Sequence, residues 1–223
     1  MKLSRKGLSL LAGLCLISTS FAQEFVHNKN VKLPDTSSSK VTKAQDMDKK
    51  LTAIELSKIM GNGINLGNTM EACKSAGMSS KEAATAYEVL WGQPVTTQAM
   101  IKGYKAAGFD TLRIPVAWTN AIDYLNGDYT INKDYLDRVE TIVSWAIDAG
   151  MYVIINDHWD GGWWGLFGQR DAAYRDDAVA LYKAIWTQVG NRFINYSEKL
   201  IFEGGNEEIG DRLNDPSKYW KKG

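Results

Sequence analysis

Four short apolar runs constrain the fold of this chain more than any other feature. They are "GINLGNT" (63–69), "FDTLRIPV" (109–116), "MYVIIND" (151–157) and "KLIFEGG" (199–205). They recur at intervals of roughly 40–50 residues, with helix-like stretches between them. Strand, helix, strand in regular alternation predicts parallel strands joined by helical crossovers, an α/β architecture. "MYVIIND" is an unbroken apolar run of the kind buried on both faces of a parallel sheet. Pro115 predicts the end of the second run, because a proline cannot donate to a ladder.

The intervening stretches carry helix signals. "AIELSKIM" (53–60) reads as a short helix over one end of a core. "TTQAMIKGYKAAG" (96–108) offers a threonine N-cap and closes on Gly108. "NKDYLDRVETIVSWAIDAG" (132–150) places Leu136, Val139, Ile142, Val143 and Ala146 on one face, and Gly150 ends it. "DAVALYKAIWTQVGNRF" (177–193) reads as the last helix before the fourth strand.

Two architectures fit: a (β/α)8 barrel or an open doubly wound sheet. No glycine-rich phosphate loop follows the first strand, which weakens a nucleotide-binding reading. Polar residues gather at the carboxyl end of each strand: Asn65 and Asn68, Arg113, Asp157 and His158, Asn206 and Glu207. Barrel enzymes build their sites at that end, from several strands. A barrel needs eight strands and about 250 residues. Residues 51–223 supply four such strands, so the expectation is a TIM barrel cut after about four βα units.

Charge excludes some partners. Lys and Arg total 26 and Asp and Glu total 26 among 223 residues, so nothing points to nucleic acid or a membrane surface. Eight Trp and ten Tyr are many for this length. They fit either a large core or platforms on which sugar rings stack, and composition alone favours the core.

The first 22 residues read as an export signal. Lys2, Arg5 and Lys6 precede an apolar stretch too short to span a bilayer, and "SFA" offers a cleavage site after Ala22. The product is expected outside the cytoplasm, secreted or periplasmic, without stable membrane association. Residues 23–50 are polar and read as a tether, so the domain spans 51–223. Loss of Cys15 with the leader leaves Cys73 without a disulfide partner in the chain.

Candidate chemistry lies at the strand ends. A carboxyl group beside an amide, as in Asn206-Glu207, suits general acid/base work on a sugar, with the amide on a 2-hydroxyl. As a bare dipeptide the pair reads more simply as a solvated loop. Arg113, inside an apolar strand, needs a partner. That is either a structural ion pair or a catalytic carboxylate. His158 is one of two histidines, and His27 lies in the tether. A hydrogen-bonded structural His competes with a catalytic one there. Asp157, His158 and Asp160 have the makings of metal ligands, but no second histidine or thiol cluster supports a metal. Trp159, Trp163 and Trp164 form an aromatic stretch above the third strand. It is either a hydrophobic lid or a stacking surface, which Trp91 and Trp118 would extend. "NYS" (195–197) matches a glycosylation sequon and carries little weight behind a bacterial-looking leader.

Five motifs then stand in order: "GINLGNTME", "WGQPVTT", "GFDTLRIPVAW", "YVIINDHWDGGW" and "LIFEGGNEE". Together they closely resemble the amino-terminal half of a glycoside hydrolase family 5 endoglucanase, a cellulase type built on a (β/α)8 barrel. The resemblance implies retaining hydrolysis of β-1,4-glucan without a metal or other cofactor. It implies that Glu207 is the acid/base and that Arg113, His158 and Asn206 belong to the catalytic centre. Read with the aromatic loop and the polar strand ends, Trp159, Trp163, Trp164, Asn65 and Trp118 are expected to contact the glucan. The family's nucleophile is a second glutamate on a later strand, absent from these 223 residues, so the chain alone is expected to be inactive. The complete enzyme is expected to be a monomer. Where the family usually has proline after the acid/base, this chain has Glu208, expected to face solvent. Glu203 is expected to be a structural hydrogen-bonding residue. Three other readings remain: a related β-glycanase acting on xyloglucan, mixed-linkage glucan or mannan; a non-catalytic glycan-binding protein using the tryptophans; and a metal-dependent hydrolase using Asp157, His158 and Asp160.

Overall fold

The computed structural model describes residues 51–73, 82–123 and 128–206. The leader, the tether, Glu207 and Glu208 lie outside the described residues. Within them, four strands form one parallel sheet in the order β1 (Gly63–Asn65), β2 (Thr111–Ile114), β3 (Tyr152–Asn156) and β4 (Leu200–Glu203). Five α-helices accompany it: α1 (Ala53–Ile59), α2 (Ala84–Glu88), α3 (Gln98–Ala106), α4 (Lys133–Asp148) and α5 (Ala172–Phe193).

Local sequence sets the helix ends. Thr52 and Glu55 form a reciprocal capping box on α1. Thr97 caps α3, Asn132 caps α4 and Asp171 caps α5. Gly108 and Gly150 follow α3 and α4 at φ 96° and 82°, a conformation glycine adopts without steric cost. α5 begins five residues before the expected start, because the Asp171 cap admits a polar first turn. α2 carries no side-chain cap and gave no sequence signal.

One face of the sheet packs against helices. Leu112, Ile114, Val153 and Ile155 point into that layer and are fully buried. They meet Ile101 of α3, Val139, Ile142, Val143 and Ala146 of α4, and Ala178, Leu181, Ile185 and Val189 of α5 in one core cluster. Each Val, Leu or Ile among them is worth about 1.5–3 kcal/mol on burial. Tyr135, not Leu136, completes the buried face of α4, since its hydroxyl reaches the carbonyls of Met70 and Ala117. The Glu88 carboxylate is also buried and is held by Arg138, tying α2 to α4.

The other face differs from the expectation of burial on both sides. Tyr152, Ile154 and Ile201 there are half-buried. That face also carries Asn65, Arg113, Asn156 and Glu203, one from each strand; Asn156 follows Ile154 and Glu203 follows Ile201 by two residues, the period of a strand.

Candidate active site

The carboxyl ends of β2, β3 and β4 converge on a polar network. Arg113 donates from Nε to Glu203 Oε2 and from Nη2 to Glu203 Oε1, each at 2.6 Å. The same Nη2 donates to Asn206 Oδ1 at 2.9 Å. These hydrogen bonds from Arg113 hold the Glu203 carboxyl below its ordinary range, against the opposing effect of partial burial. A guanidinium can only donate, so it fixes Asn206 with its amide oxygen inward and its donor nitrogen turned away.

β3 supplies the middle of the site. Asn156 is fully buried. Its Oδ1 accepts from Val116 N–H at 3.3 Å, and its Nδ2 lies 3.0 Å from His158 Nδ1 and 3.4 Å from Glu203 Oε1. Beyond the last ladder pairs, His158 N–H donates to Val116 C=O at 2.9 Å and Asn206 N–H donates to Asp157 C=O at 3.0 Å. The three strand ends are thus stitched past the sheet. Sequence reading missed Asn156, because its partners lie about 40 positions away on either side.

The β1 loop adds a buried acid. Glu71 accepts from the backbone N–H of Asn68 and of Thr69, closing a turn in which Asn68 has φ 58°. Burial raises its pKa, and the backbone donors offset part of that. Asn65 is exposed on β1, beside Arg113 in the ladder.

The tryptophans separate into two groups. Trp118 and Trp163 are 0% exposed and Trp164 is 4% exposed, so none of them presents a face to a sugar. Trp118 donates its indole N–H to Asn156 C=O at 3.0 Å and stands edge-on to Tyr135. Trp163 stacks on Trp164 with centroids 4.4 Å apart and donates to Asp160 Oδ2 at 3.0 Å. The expectation of a shared platform is corrected to a core aromatic stack. Trp159, at 38%, remains exposed, its ring lying over Gly162. Trp91 is exposed at 40% and donates to Cys73 C=O.

This arrangement follows from an unusual backbone. Trp159, Asp160, Gly161 and Gly162 all have positive φ, from 47° to 79°. The reversal sends Trp159 outward and leads into a 3-10 stretch (Asp160–Gly168) that turns Trp163 and Trp164 inward. Asp160 secures it by accepting from Thr119 N–H, Thr119 Oγ1 and Trp163 Nε1. Burial raises the pKa of Asp160. Its oxygens are therefore engaged as a loop clasp. Among the described residues no group of three His, Cys, Asp or Glu side chains is arranged to hold a metal.

The two glycines after β4 now have a cause. A Cβ on Gly204 would meet Tyr182 Oη at 2.8 Å, and one on Gly205 would meet Trp164 Cη2 at 2.9 Å. The aromatic stack sits directly against this segment.

A family model for cellulase, glycosyl hydrolase family 5, matches residues 67–222. The chain belongs to glycosyl hydrolase family 5. It is 38% identical over 164 residues to the xyloglucan-specific endo-β-1,4-glucanase BoGH5A of Bacteroides ovatus, covering 74% of this chain and 31% of that one. Among solved structures it is similar to the GH5-4 broad specificity endoglucanase from Clostridium longisporum, at TM-score 0.64 and 36% identity, covering 73% of this chain and 43% of that one. It is also similar to the GH5-4 broad specificity endoglucanase from Ruminococcus champanellensis with bound cellotriose, at TM-score 0.62 and 34% identity, covering 76% and 52%. The four parallel strands alternating with helices match these family 5 TIM-barrel structures over part of their chains. The chain spans less than half the length of the curated relatives it matches.

Proposed function

We propose that this chain is the amino-terminal half of an exported, retaining endo-β-1,4-glucanase. The observation that carries the reading is the Arg113 tie to both Glu203 and Asn206. It fixes the amide next to Glu207 with its donor side free of the guanidinium. In a family 5 frame, Asn206 donates to the 2-hydroxyl of the sugar, and Glu207 protonates the glycosidic oxygen and later activates water. His158 lines the same site from β3, and Trp159 supplies an exposed ring for a glucosyl unit. A β-1,4-glucan substrate is favoured by the similarity to one xyloglucan-specific and two broad-specificity endoglucanases.

Retention needs a second carboxyl about 5–5.5 Å from the first. Glu203 cannot serve, since both its oxygens are bound by Arg113. The nucleophile would come from a strand beyond the four.

Two assays test this. The purified 223-residue chain should not hydrolyse soluble β-glucan or xyloglucan. A hybrid joining it to the carboxyl-terminal half of the Clostridium longisporum enzyme should hydrolyse both and release β-anomers first. Glu207→Gln in the hybrid should cost about 10²–10⁴-fold in kcat. Turnover by the chain alone, or a hybrid indifferent to Glu207→Gln, would overturn the reading.

A further inference from the structure

We propose that Asn156 is a positioning residue that dictates where His158 carries its proton. It sets the proton of the ring on Nε2, which makes Nε2 the ring's donor.

The argument starts with the orientation of a buried amide. The oxygen and nitrogen of an asparagine are distinguished by what surrounds them. Two neighbours of Asn156 have a single possible role each. The backbone N–H of Val116 can only donate, so the atom 3.3 Å from it is Oδ1. The Glu203 carboxylate, kept ionised by Arg113, can only accept, so the atom 3.4 Å from it is Nδ2. A flip of the amide would set donor against donor on one side and oxygen against oxygen on the other. Asn156 is 0% exposed, so no water relieves that conflict.

Nδ2 therefore has hydrogens and no lone pair to give. It stands 3.0 Å from His158 Nδ1. A hydrogen bond at that distance requires an unprotonated Nδ1, and the proton of a neutral ring then resides on Nε2. An imidazolium would place a second N–H against the amide.

Glu203 on β4 interacts electrostatically with His158. That carboxylate favours an imidazolium, but it is already paired with Arg113. The direct contact with Asn156 decides the tautomer. The tautomer follows from this geometry alone; use of the Nε2 donor on a glycan hydroxyl rests on the glucanase reading.

The test is an imidazole nitrogen spectrum of the ¹⁵N-labelled 223-residue chain, without substrate. The sequence has two histidines, so His27→Gln leaves one ring to observe. At neutral pH, His158 Nε2 should resonate as a protonated nitrogen and Nδ1 as an unprotonated one. The reverse pattern, two protonated nitrogens, or signals averaged between tautomers would overturn the proposal. Asn156→Asp replaces the donor by an acceptor of the same shape. It should move Nδ1 to the protonated position, an effect that a merely structural role would not produce. If that variant does not fold, the parent spectrum still decides. Inactivity on glucans affects neither reading, which keeps the two proposals separable.

Discussion

Arg113 on β2 reaches over β3 to hold Glu203 on β4 by two hydrogen bonds of 2.6 Å. The pair joins strands that are not neighbours in the sheet. It is bidentate, so it fixes direction as well as distance.

The tie should give the chain an acid-sensitive component of stability. The Glu203 pKa lies below its ordinary value of 4.5. The stabilisation is thus complete above about pH 4.5 and fades as pH falls through the folded-state pKa. Glu203→Gln abolishes that titration. The Tm gap between parent and variant should narrow by about 2–4 °C between pH 6 and pH 3.5. The effect stays small because about a third of the side chain is in solvent. A gap that widens on acidification would contradict it.

Burial predicts opposite outcomes for two tryptophans. Trp163→Ala opens a cavity in the aromatic stack and should cost about 3–5 kcal/mol by urea titration. Trp159→Ala removes a ring that is 38% exposed and lies over Gly162, and should cost clearly less stability than Trp163→Ala. It should weaken retention on a cellulose-derivative gel about fivefold.

Gly205 is constrained by its neighbour, not by its dihedral angles. The extra methyl of Gly205→Ala would lie 2.9 Å from a Trp164 ring that is itself stacked on Trp163. The ring has nowhere to yield, and a loss of about 1–3 kcal/mol is expected by thermal or urea unfolding.

Cys73 should be a slow nucleophile. Burial pushes its thiol up to about 11. At pH 8 about one thiol in a thousand is then ionised. In a Cys15→Ser background, alkylation followed by mass spectrometry should accelerate about tenfold per pH unit between pH 7 and 9. A plateau near the ordinary thiol value of about 8.5 would refute the assignment.

The strands were legible because each apolar run ends in a polar cluster, and that end is where Arg113, His158 and Asn206 meet. Arg113 in an apolar strand calls for a partner, and Glu203 suits a structural hydrogen-bonding role; the structure joins the two. The fate of the tryptophans was not legible. Whether "DGGWW" faces water depends on four successive positive φ values and on Asp160 finding Thr119, which lies 41 positions earlier. Asn156 was hidden for the same reason. Its role exists only once β2, β3 and β4 stand side by side. α2 escaped because a five-residue helix without a cap has no periodic signature, and it is held by the Glu88–Arg138 pair instead.

The two backbone stitches beyond the sheet, His158 to Val116 and Asn206 to Asp157, determine when the entropy of the site is lost. Loop residues without such bonds must be ordered by the arriving ligand. For His158 and Asn206 the backbone is ordered once the strands have paired. A ligand that reaches these two residues would not bear the entropy of ordering their backbone.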